Sequence, residues 1–234
     1  MERLDKILAS TGRWSRREVK ELVCRGRVTV DGRIAASPEE KTDPEQADLR
    51  VDGEKILYAR YTYVMLNKPA GVLTATEDRR QKTVLDLLSE PLRRKGLAPV
   101  GRLDKDTEGL LLLTDDGELA HRLLSPRYHV DKCYYALVSA DLESGDPEAF
   151  AAGMILEDGL RCLSAGLEIL SPRECLVTLR EGKFHQVKRM LAARGKPVIR
   201  LRRLSMGPLA LDESLKPGEY RLLTEEETAA LRAI

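Results

Sequence analysis

The run GRLDKDTEGLLLLT, residues 101–114, constrains the fold more than any other part of this chain. Leu110, Leu111, Leu112 and Leu113 form an unbroken apolar stretch, so the segment reads as a buried strand, with Gly109 marking a tight bend before it. A strand of that kind needs a substantial core around it, and a hydrophobic content of 42% supplies one. Asp104 stands just ahead of the strand. A carboxylate fixed at the edge of a rigid, dry element is placed to act as nucleophile or base. The bland alternative is a charged turn beside a core strand.

The 234 residues suffice for one medium domain and one small one. Residues 1–58 read as the small one. Leu4, Ile7 and Leu8 recur at helical spacing. Ser15-Arg16-Arg17-Glu18 is a capping-box pattern opening a second helix, Val19, Leu22 and Val23 continue its apolar face, and Gly26 stops it. Residues 28–34 read as a strand running into a turn, Asp52-Gly53 as a second turn, and a linker is expected over 58–62, from Tyr58 to Thr62.

The second domain, 62–234, opens with a strand that breaks at Lys68-Pro69-Ala70-Gly71. A short helix over 84–88, a turn at Asp115-Asp116-Gly117 and a helix over 118–124 follow. Strands are expected over 134–139, 167–170 and 174–180, then a helix over 186–194 stopped at Gly195. The fold class is therefore α+β: a small helix-helix-strand module, then a domain with a largely antiparallel mixed sheet flanked by helices.

Several function classes drop out. No apolar run of about 18 residues is present, so no membrane span is expected. The charged start MERLDKILAS lacks a signal-peptide core. Cys24, Cys133, Cys162 and Cys175 show neither CxxC pairing nor metal-ligand spacing with His121, His129 and His185, which points to reduced thiols and a cytoplasmic protein. Cys133 reads as a packing residue.

The net charge of +1 conceals a strong segregation. Between Arg180 and Arg203 lie nine Lys/Arg and one acid, Glu181, whereas residues 141–160 hold six acids and no Lys or Arg. This suggests one positive face for a polyanion and a separate acidic surface. Residues 1–33 are also basic, and Arg13, Arg16, Arg17 and Lys20 cluster around the start of the second helix, where backbone donors favour a phosphate.

GRLDKDTEGLLLLT resembles the catalytic motif of the pseudouridine synthases, in their RsuA-like branch. The resemblance continues in Lys132-Cys133-Tyr134 and in EGKFHQVKRM, residues 181–190, and the N-terminal segment resembles the alpha-L RNA-binding domain. It implies isomerisation of uridine to pseudouridine in ribosomal RNA, without metal or cofactor. The target base must be extruded from its stack, and phosphate contacts supply the energy. Asp104 would be the essential carboxylate. Lys188 would be its ion-pair partner, an interaction of about 4 kcal/mol at 4 Å in an effective dielectric of 20. Tyr134 would stack on the uracil or act in proton transfer. Arg102 would fill the gap left by the base or grip a phosphate, and Lys183, Gln186 and Arg189 would contact RNA, as would Arg13, Arg16, Arg17 and Lys20. Either Leu201 or Leu204 could supply the leucine the family has near its site.

The wording of 181–190 is closest to the branch acting on small-subunit (16S) rRNA. The expected partner is ribosomal RNA or the assembling small subunit, met by a monomer. Two alternatives stay open: large-subunit (23S) rRNA as substrate of the same enzyme class, and a non-catalytic RNA-binding ribosome-assembly factor.

Overall fold

Ser15 starts its helix as the sequence pattern requires. Its Oγ accepts from the Glu18 N–H at 3.3 Å, and the Glu18 carboxylate accepts from the Ser15 N–H at 2.6 Å. The computed structural model describes residues 1–44, 46–56, 60–93 and 96–234. It separates into two compact units, Met1–Thr62 with Leu88–Leu97, and Tyr63–Leu87 with Ala98–Ile234. Tyr58, where the expected linker begins, lies outside the described residues.

In the first unit, α1 (Leu4–Ser10) and α2 (Arg16–Cys24) cover a small sheet of β1 (Val28–Val30), β2 (Arg33–Ile34), β3 (Leu49–Val51) and β4 (Glu54–Lys55), in the order β2-β1-β3-β4. Asp31-Gly32 and Asp52-Gly53 close its two hairpins with both residues at positive φ, the two-residue turn that matches strand twist. Leu4, Ile7, Leu8 and Val19 from the helices are buried against Val28, Val30, Leu49 and Val51.

The second unit is built on a mixed sheet. Its main strands are β5 (Tyr63–Lys68), β6 (Glu108–Thr114), β7 (Lys132–Val138), β8 (Gly166–Ser171), β9 (Glu174–Leu179), β10 (Val198–Met206) and β11 (Tyr220–Leu222). They lie in the order β8-β9-β7-β10-β6-β5-β11, and only β10 and β6 run parallel among these neighbours. Among the described residues four α-helices belong to this unit: α3 (Gly117–Leu124), α4 (Gly145–Ala152), α5 (Gln186–Ala193) and α6 (Glu225–Arg232). The leucine run forms the interior of β6, fully buried between β5 and β10.

Two expectations need correction. Gly109 is not a bend before the strand but a member of it, paired with Lys68 on one side and Arg203 on the other. A Cβ here would meet the Arg203 carbonyl oxygen at 2.3 Å, so glycine is required by the close approach of β10 and by a φ of +100°. Nor does the basic run form one positive face opposite an acidic surface. The acidic segment folds back on it: Arg189 pairs with Asp158 at 2.5 Å, Arg194 with buried Asp146 at 2.8 Å, and Lys196 with Glu143 at 2.8 Å. Arg180 pairs with Asp131, and Arg200 with Glu108. Segregation along the chain becomes neutralisation in space, with Lys196 and Asp146 the buried members of these pairs and Arg180 and Arg200 paired at the surface.

Candidate active site

Asp104 sits in the loop between the short strand Ala98–Pro99 and β6. The end of β5 and the residues after it hold that loop. Lys68, fully buried, donates through Nζ to the carbonyls of Asp104 (3.1 Å), Lys105 (3.2 Å) and Thr107 (2.9 Å), and to Pro69 (3.0 Å). Thr74 Oγ1 donates to the Leu103 carbonyl at 2.7 Å, and the Gly71 N–H to that of Lys105 at 2.7 Å. Four carbonyls around one ammonium leave the loop little freedom. Burial pushes Lys68 down to about 8, against the upward pull of Asp106, Asp104 and Glu108. In the sequence this segment reads only as a strand and a turn.

From α5, Lys188 Nζ reaches Asp104 Oδ2 at 2.9 Å and Asp106 Oδ1 at 2.5 Å. Burial pulls the Lys188 ammonium down, but hydrogen bonds to Asp106 and Asp104 outweigh it and leave it above its ordinary value. The Lys188 hydrogen bond holds Asp106 below the usual carboxylate range. On the other oxygen, His185 Nε2 lies 3.4 Å from Asp104 Oδ1. His185 precedes α5 with a left-handed backbone, φ +49°, uncommon for a non-glycine residue. Sequence reasoning misses Asp106 and His185 as site residues, although both lie within the quoted motifs.

Tyr134, on β7, is 9% exposed and faces the same cavity as Asp104. Its neighbour Tyr135 points the other way, as strand alternation demands, and donates to Glu174. The cavity, about 50 Å³, is lined by Arg102, Leu103, Asp104, Thr107, Tyr134, Leu179, His185, Gln186, Val187 and Leu201. Exposed Arg102 and partly exposed His185 stand at its rim. Leu201, not Leu204, lines it.

The remaining expected contacts divide. Gln186 lines the cavity but is buried, with Oε1 accepting from the Lys183 N–H (3.0 Å) and Nε2 donating to Glu181 (2.5 Å). Lys183 pairs with Glu181 at 2.9 Å and Arg189 with Asp158. These three close the loop before α5 onto its surroundings. In the first unit, Arg16, Arg17 and Lys20 line an open cleft of about 440 Å³ with Arg3 and Asp5. Asp5 is held below its ordinary value by hydrogen bonds from Arg3. Arg13 is not part of that cleft: it grips Glu54 through two hydrogen bonds of 2.9 and 2.8 Å and lies over the Trp14 ring. Among the described residues no cluster of three or more His, Cys, Asp or Glu could hold a metal ion, and no helix is long and apolar enough to cross a membrane.

The site thus brings together an aspartate on a braced loop, a lysine ion-paired with it and a tyrosine facing the same cavity. Residues 62–193 match the family of RNA pseudouridylate synthases, and residues 2–47 match the S4 domain. The chain belongs to the RNA pseudouridylate synthase family. It is 48% identical over 229 residues to YtzG of Bacillus subtilis (strain 168), described as an uncharacterized RNA pseudouridine synthase, with 96% of each chain covered. It is 42% identical over 231 residues to ribosomal small subunit pseudouridine synthase A of Escherichia coli (strain K12), covering 98% of this chain and 99% of that one. A crystal structure of a pseudouridylate synthase superposes with a TM-score of 0.70 at 36% identity, over 99% of this chain and 100% of that one.

Proposed function

We propose that this protein isomerises uridine to pseudouridine in small-subunit (16S) ribosomal RNA, as a cytoplasmic monomer acting on the rRNA or the assembling subunit without a cofactor. Full-length similarity to synthases named for the small subunit supports the choice of RNA. The observation that carries the chemistry is the Asp104–Lys188 pair, 2.9 Å apart, with Asp104 facing the cavity that Tyr134 also lines. Asp104 is the reacting carboxylate. Attack at C1′, addition to C6 of the base, or removal of the C2′ proton would each start from it. Lys188 stabilises its charge between turnovers. Tyr134 supplies an aromatic wall for the extruded uracil, and Arg102, exposed at the rim, meets the RNA. The S4-like unit, 1–58, docks the RNA through Arg16, Arg17 and Lys20, with Arg13 at its edge, and 62–234 performs the reaction. Lys183, Gln186 and Arg189 shape the loop that presents Lys188.

The test is tritium release from 16S rRNA carrying 5-tritiated uridine, since forming the C5–C1′ bond expels the C5 hydrogen. Wild type is expected to release tritium; Asp104→Asn is expected to bind the RNA and release none. Equal release by both proteins would remove Asp104 from the mechanism. No release by wild type from 16S rRNA, 23S rRNA or partly assembled subunits would leave a binding protein.

A further inference from the structure

The chain has two phenylalanines, and they are used in opposite ways. Phe150 is fully buried, whereas Phe184 is 74% exposed. Phe184 is not loose. Its ring lies on the His185 imidazole, with centroids 3.8 Å apart and planes 20° from parallel. His185 is itself fixed by its left-handed backbone ahead of α5, by its carbonyl accepting from the Arg189 N–H at 2.9 Å, and by Nε2 beside Asp104. His185 lines the cavity; Phe184 does not. One face of the phenyl ring is therefore committed to a residue of the site, and the rest stands in solvent just outside it.

An exposed aromatic beside a base-extruding site has a ready partner. Extruding a uridine strips its neighbours of a stacking partner, and RNA-binding proteins take such bases on aromatic rings. The uracil itself belongs inside the cavity against Tyr134, so the ring outside it serves another base. We propose that Phe184 is the stacking platform for a nucleotide adjacent to the target uridine, and so helps select which uridine is admitted. This rests on the functional reading above. The stack then runs from RNA base to Phe184 to His185, ending 3.4 Å from Asp104.

The full-length protein and 5-tritiated 16S rRNA test this. Phe184→Leu and Phe184→Ala are expected to raise KM for tritium release about tenfold, the usual scale for losing one base–aromatic stack, with the loss falling on KM rather than kcat. Phe184→Trp and Phe184→Tyr should keep the wild-type KM. Leucine preserves an apolar cover over His185 but has no π-face. A Phe184→Leu protein with wild-type KM would therefore overturn the proposal and leave Phe184 a cover; a loss confined to kcat would overturn it too, placing the ring in the chemistry. If wild type released no tritium, the functional reading would fail instead. Filter binding of the same rRNA would then decide the stacking alone: the aromatic variants tight and the Leu and Ala variants weak, or all four alike and the proposal lost.

Discussion

Lys68 shows how one side chain can set the position of another without touching its functional atoms. Its ammonium holds the backbone of Asp104 itself and of the residues that follow it. Replacing it with methionine leaves buried carbonyls unpaired, at a cost of about 1–3 kcal/mol, so Lys68→Met should melt several degrees below wild type and lose kcat. The same residue sets a pH limit. Below about 8 the charged group offers three N–H donors to the carbonyls; above it, the neutral amine offers two and turns a lone pair toward oxygen. The brace weakens as pH rises through that value, and kcat of wild type is expected to fall there. Lys68→Met should lack that limb, as pH–rate profiles of the two proteins will reveal. Asp104, Tyr134 and Lys188 stood out as candidates in the sequence because each sits in a recognisable string, and the structure pairs Asp104 with Lys188 beside the cavity that Tyr134 lines. Lys68 did not, because a lysine ahead of proline reads as a surface turn until the 101–107 loop folds over it.

At the scale of elements, the helix capped at Ser15 and the Asp-Gly turns were legible because local chemistry alone dictates them, whereas the helix capped at Thr224 was passed over. The strand β10 was not legible. Its sequence, VIRLRRLSM, carries three arginines, and a strand at the middle of a sheet is expected to be apolar. The structure resolves this by placing its cations differently: Arg200 on Glu108, and Arg203 on the Leu110 carbonyl at 2.8 Å beneath the sheet surface. Buried Arg203 also acts on Lys132, whose ammonium is lowered by its own burial and then by that neighbouring charge. The parallel seam between β10 and β6 depends on Gly109. Gly109→Ala combines a left-handed backbone with a Cβ that collides with a neighbouring carbonyl, so a loss of about 3 kcal/mol or more is expected. Gly218→Ala, at φ +91° with nothing within 4 Å of the added carbon, should cost only about 1–2 kcal/mol. Denaturant melts of the pair separate collision from backbone strain.

For the whole molecule, the charge pattern was legible as a link to RNA but misplaced. The catalytic unit holds much of its basic run in close internal pairs, while in the first unit Arg16, Arg17 and Lys20 stand exposed around an open cleft, with only the longer pairs of Arg17 to Glu21 (3.6 Å) and Lys20 to Glu39 (3.9 Å). Phosphate contacts should therefore be concentrated in the smaller unit. Replacing those three by glutamine should reduce the slope of log affinity against log salt by about 2, since each neutralised phosphate contributes roughly 0.7–0.9. A salt titration of rRNA binding with an unchanged slope would move the docking surface elsewhere. Sequence order could not reveal this, since pairing partners such as Lys196 and Glu143 lie far apart along the chain. The place of β10 in the sheet has a consequence for biosynthesis. Among the described residues it is the only strand joining the half that carries Asp104 to the half that carries Tyr134, yet it is translated after both of those segments. Domains fold in order of emergence from the ribosome, so the small unit is complete long before the two halves of the larger one can be zipped together. A nascent chain can thus grip RNA well before it is able to alter it.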